Sequence, residues 1–156
     1  TGQNKHEVSS VQLTKELRSQ FPELTIYCGF DPYRTTLKSE FNYTKDKLNA
    51  GANGIFTQPL FENKTCQLIL EQYKNISTFI GISPIMSDQS KRYWETQNKV
   101  VFPQDFECTL AYNCSIAKSI LQQCMEHNQH VYIMPIKIDI LHFLTHVLPS
   151  KEISFS

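Results

Sequence analysis

"KDKLNAGANGIFTQPLFE", residues 45–62, is the stretch whose reading decides the fold. It runs from the end of a helical pattern through a glycine turn into a short apolar segment. Gly51 supplies the C-terminal stop of the helix. "GIFTQ" (54–58) is too short for a helix and suits a buried strand. Gln58 is the exception within it. A glutamine where a buried strand hands over to its loop must find partners inside the protein or face a ligand.

Outward from this stretch the same unit recurs. Ser9, with Gln12 three residues later, gives a capping-box start to a helix with Val11, Leu13 and Leu17 as its apolar positions, ended by Pro22. "TIYCGF" (25–30) is a strand, and the helix after it carries Leu37, Phe41 and Leu48 on one face. Beyond "GIFTQ", the positions of Cys66, Ile69, Leu70 and Tyr73 follow helical spacing. "TFIGIS" (78–83) is a third strand, followed by the aromatic-bearing "SDQSKRYWETQN". A longer helix spans 111–128 with Ile116, Ile120 and Cys124 inward; "HVYIMPI" (130–136) is the last strand and "DILHFLTHVL" (139–148) the last helix.

Strands alternating with helices imply a parallel sheet with right-handed crossovers, either an open doubly wound sheet or a (β/α)8 barrel. No glycine-rich phosphate loop follows any strand, which favours the barrel. Asp31, Gln58, Ser83 and Lys137 stand at or just past the four strand ends. In a barrel that is the C-terminal face, where sites in this fold are built. Four strands make half of such a barrel, so residues 1–156 read as a single partial domain.

At 156 residues the chain is long enough for one sizeable core and too short to argue for two domains. Fifteen basic residues balance fifteen acidic ones, so no overall field favours nucleic acid or an anionic membrane. No apolar run reaches the roughly 18–20 residues needed to cross a bilayer, and "TGQNKHEVSS" lacks the pattern of a signal peptide. Five cysteines, an odd number without zinc-knuckle spacing, read as buried free thiols. The expectation is a soluble protein of a reducing compartment, the cytoplasm first and the mitochondrion second. Four Asn-x-Ser/Thr stretches, at Asn42, Asn63, Asn75 and Asn113, read as chance matches, two of them on expected helices.

The stretch 45–62 resembles the methylenetetrahydrofolate reductase family, with its lysine-bearing helix end, AGA turn and T-Q strand end. The likeness extends in order: "TG" at 1–2 is similar to the end of that family's fourth strand, "IYCGF" to its fifth, "GIFTQ" to its sixth, "FIGISPIM" to its seventh and "HVYIMPIK" to its eighth; "VVFP" at 100–103 is also similarly spaced. The resemblance implies a parallel (β/α)8 TIM-type barrel of which the chain forms the C-terminal half, strands five to eight. Thr1 stands in mid-pattern, so a fragment, a processed chain or a partial domain is expected. An oligomer or a partner chain would then complete the barrel.

The resemblance also implies chemistry. Members of the family use FAD to pass hydride from NAD(P)H to 5,10-methylenetetrahydrofolate. Carried over position by position, Gln58, Trp94 and Lys137 fall on substrate-contacting positions, and Gly2, Gln3, Phe30, Glu40 and Lys47 on cofactor-contacting ones. An amide at Gln58 offers donor and acceptor to a pterin edge; its bland role is to cap loop backbone. Seven residues separate Glu40 from Lys47, nearly two turns or about 10 Å along one face. Thus a carboxylate could hold a ribose hydroxyl and an ammonium the diphosphate. Their bland role is as two solvated charges. Trp94 would stack on a flat ring or pack in the core. Lys137 would meet a folate carboxylate or stand in solvent.

Departures accompany the likeness. Gln3 stands where the family has aspartate, Phe30 where it has tyrosine, Pro59 where it has an apolar or aromatic residue, and "VYIMPI" replaces the family's last-strand run. The family's catalytic glutamate comes from its first strand, so no catalytic residue is assigned in this chain. The alternative reading is a non-catalytic relative with a structural role in a larger assembly. A remoter one is a metal site on Asp139, His142 and His146, which share a helix face but lack the H-E-x-x-H glutamate.

Overall fold

The computed structural model describes residues 8–148. In chain order these form α1 (Ser10–Gln20), β1 (Tyr27–Phe30), α2 (Leu37–Asn49), β2 (Gly54–Pro59), α3 (Asn63–Gln72), β3 (Ser77–Ile82), α4 (Asp88–Gln97), α5 (Leu110–Glu126), β4 (His130–Ile133) and α6 (Ile140–Val147). Each helix starts on a side-chain cap. Ser9, Thr36, Glu62, Ser87, Thr109 and Asp139 each accept from a backbone N–H three residues on, satisfying one of the amides a helix start leaves without a partner.

The four strands lie in sequence order, β1-β2-β3-β4, and every pairing is parallel. The chain is therefore α/β with crossover helices. One face of the sheet packs on helices around Cys28, Phe30, Ile55, Ile80 and Ile82, which meet Cys66, Ile69 and Leu70 of α3 and Ile120 of α5. The other face carries a ladder of rings. Phe56 and Phe79 stack at 4.3 Å, His130 stacks on Phe79 at 4.5 Å, and Tyr27 meets both phenylalanines edge-on. A second, smaller core sits beyond the strand ends, where α4 and the 98–109 loop bring together Phe61, Ile85, Trp94, Phe102 and Phe106.

Several boundaries differ from the sequence reading for identifiable reasons. β1 starts at Tyr27 and not at Thr25, because Ile26 N–H donates to the Asn53 side chain instead of joining the ladder. β4 stops at Ile133: Met134 N–H still reaches Ile82 O at 2.8 Å, but Pro135 has no N–H to continue. Gly51 ends α2 as expected, at φ 115°, with Arg18 packed where a side chain would stand. In α1 two of the three expected apolar positions, Val11 and Leu17, are half-buried, but Leu13 is exposed and Thr14 is the buried residue. Polar contacts also fasten the helix: Ser10 with Tyr43 and Arg18 with Gly51 O.

Candidate functional site

Gln58 lies at a β-bulge. The register of β2 on β3 shifts between Phe56 and Pro59, and side chains take over what the ladder loses. Thr57 Oγ1 accepts Gly81 N–H at 3.0 Å, Tyr132 donates its hydroxyl to Thr57 O at 2.5 Å, and Tyr33 donates to Pro59 O at 2.9 Å. Leu60 N–H then returns to Gly81 O. Gly81 must be glycine here, since a Cβ would lie 2.6 Å from the Tyr132 hydroxyl. Pro59 fits because a bulge frees its position from donating. The bulge thus gives a local reason for Pro59 beside Gln58. Gln58 itself is half-buried. The loop-capping role is not what the bulge bonds describe, for they are made by its neighbours.

Beside Gln58 opens a cavity of about 400 Å³, lined by Phe30, Arg34, Glu40, Lys47, Gln58 and Tyr132 among others. It is the β1–β2 side of the strand-end rim. Four of the expected contact residues therefore line one cavity, although the Phe30 ring itself packs in the main core on Phe41 and Tyr73. The expected geometry of two of them does not hold. Glu40 and Lys47 are neither separated tips nor solvated charges. They are 1% and 3% exposed, and the Lys47 ammonium stands 3.6 Å from Glu40 Oε1. Lys47 also donates to Gly29 O. Glu40 accepts Asp31 N–H at 3.1 Å and pairs with the Arg34 guanidinium at 3.0 Å. Long side chains bend toward each other because two buried charges that stay apart each lose hydration without return.

Tyr43 lies against both cations, with Lys47 4.7 Å and Arg34 5.0 Å from its ring centre. Arg34 and Tyr43 were not among the residues sequence reading selected. One signal did exist: Glu40, Thr44 and Lys47 repeat at helical spacing, and these polar residues, not the apolar ones, are the buried positions of α2. Leu37, Phe41 and Leu48 pack beside them, only partly buried.

Trp94 and Lys137 belong to a different cavity, about 410 Å³, at the ends of β3 and β4. Trp94 is 4% exposed; its ring meets Phe61 edge-on at 5.2 Å and so packs in the second core, while also lining the cavity. Lys137 is exposed and held at φ 54°, a left-handed conformation that costs an L-residue about 1–2 kcal/mol. Asn113, buried on α5, fixes the loop between them. Its carbonyl accepts Ile85 N–H at 2.8 Å, and its amide donates to Ile85 O and Thr109 O. Only the tertiary contact reveals this clamp, since the sequence around Asn113 reads as a glycosylation match.

Gly2 and Gln3 lie outside the described residues. Asp139 is the N-cap of α6, accepting His142 N–H at 3.1 Å, and His146 hydrogen-bonds His142 O. Among the described residues no group of three or more His, Cys, Asp or Glu side chains is placed to hold a metal ion, and no helix is long and apolar enough to cross a membrane. Burial raises the Tyr33 and Tyr132 hydroxyls above their ordinary pKa, so both remain donors to the bulge. No family model matches this chain, and no curated protein matches it either.

Proposed function

We propose that the chain is the C-terminal half of a (β/α)8 barrel in a methylenetetrahydrofolate reductase-like flavoprotein. In this reading FAD carries hydride from NAD(P)H to a folate. The observation that carries it is the convergence of Phe30, Glu40, Lys47 and Gln58 on one cavity at the C-terminal ends of parallel strands. The donor set has the right chemistry: a carboxylate for a ribose hydroxyl, an ammonium for a diphosphate and an amide for a flat heterocycle. When bound, the flavin supplies the hydride transfer. The chain's own residues bind and orient. Gln58 fixes the ring over the strand ends, the bulge aims Gln58, and Trp94 and Lys137 line the neighbouring cavity for the rest of the substrate.

The ring-bearing face of the sheet is the barrel interior in this reading, and the other four strands are supplied beside β1 and β4. A second copy is a poor complement. Its α6 would compete with α1 for the single groove between its β4 and this chain's β1, because α1 precedes β1 and α6 follows β4.

One observation favours the alternative, a relative with a structural role. Glu40 and Lys47 already hold each other and the neighbouring backbone, so a flavin would have to displace those contacts. Titrating FAD into the full natural protein separates the readings. The flavoprotein reading expects quenched flavin fluorescence and bleaching by NADH, with Gln58→Glu keeping the flavin but weakening folate turnover. Unquenched FAD would leave the structural reading standing alone.

A further inference from the structure

Two thiols in the main core have no part in either cavity. Cys66 of α3 and Cys124 of α5 are 0% and 1% exposed and belong to the same buried cluster. The helices that carry them pack against each other: Gln123, next to Cys124, donates to Asn63, one turn before Cys66, at 3.4 Å. Gln123 Oε1 is buried without a hydrogen-bond partner, so the α3–α5 seam is not a fully satisfied one. We propose that Cys66 and Cys124 are an oxidation site, forming a reversible disulfide that ties α3 to α5 within the core.

The chemistry balances with hydrogen peroxide as oxidant. The thiolate of one of the two attacks the peroxide, breaking its O–O bond, forming a sulfenic acid and releasing hydroxide, which takes up a proton as water. The other sulfur then displaces the sulfenic oxygen as a second water, and the S–S bond forms. In all, two thiol protons and two electrons pass to one peroxide. Cys66 is raised by its interaction with Cys124 and by burial, so the pair rests as thiols while the core is closed. Access to the core requires local opening. Oxidation at this pair is therefore slower than at the partly exposed Cys108.

Folded protein treated with peroxide, alkylated and digested without reduction tests this by mass spectrometry. The expected product is a peptide pair joined through Cys66 and Cys124, released by dithiothreitol, in a protein whose Tm exceeds that of the reduced form. In Cys66→Ala, Cys124 should stop at a sulfenic acid that dimedone traps. Should that variant fail to fold, the wild-type peptide map decides alone. Recovery of both cysteines as free thiols after Cys108 is fully oxidised, or their joining to other cysteines, overturns the site.

Discussion

The two sides of the strand-end rim solve the same task with opposite materials. On the β1–β2 side, α2 turns a polar stripe inward, and Glu40, Lys47 and Arg34 form one charge network around Tyr43. On the β3–β4 side, rings from Phe61, Trp94, Phe102 and Phe106 form a small apolar core, and Lys137 is left outside it. The difference teaches that position at a strand end does not by itself make a charge available. Lys47 is held by three groups within the fold, whereas Lys137 stands exposed at a strained backbone.

The comparison breaks most sharply on each side's anchor. Trp94→Ala should cost about 3–5 kcal/mol, since truncating a buried ring leaves a cavity between Phe61 and its neighbours. Urea unfolding followed by far-ultraviolet circular dichroism measures it. Glu40→Ala should cost about 3–5 kcal/mol by leaving Lys47 buried without its counter-charge. Replacing both with methionine should recover most of that loss; if the double variant is as unstable as the single one, charge is not what holds the β1–β2 side.

A smaller effect is expected at high pH. Burial lifts Tyr73, which packs under α2 against Phe41, from 10.0 up to about 12. Its folded pKa is raised, so its contribution is constant below pH 10.0 and declines as pH rises toward about 12, where only the unfolded chain ionises first. Tyr73→Phe should flatten that alkaline decline in a series of melting curves. The smallest effect belongs to Lys137→Gly. Relief of the left-handed φ should stabilise the protein by about 1 kcal/mol, and a destabilised variant would mean the lysine side chain contributes more than its backbone costs.

Much of the architecture was legible along the chain because its signals are short-range. The buried positions Cys66, Ile69, Leu70 and Tyr73 of α3, the cap at Ser9 and the stop at Gly51 are each set within a turn of sequence. The expectation of a parallel arrangement also holds for the four strands described. In α1 Val11 and Leu17 do turn inward beside Thr14, whereas Leu13 stands exposed, and polar contacts share in holding the helix. The site was legible in membership more than in geometry. Phe30, Glu40, Lys47 and Gln58 do share a cavity, but spacing on a helix fixes where Cβ atoms lie and says nothing about where long side chains end.

By itself, then, the sequence determined the order of helices and strands, the inward face of α3 and the placing of Gln58 at a strand end, because period, caps and turns act between near neighbours. Only the tertiary structure decided that Glu40 and Lys47 would meet, that Thr57 and Tyr132 would fasten the bulge at Gln58, and that Asn113 would clamp the Ile85 loop. Each of those contacts joins groups whose partners are chosen by desolvation. A buried charge, amide or hydroxyl takes whichever partner the packed fold brings within reach.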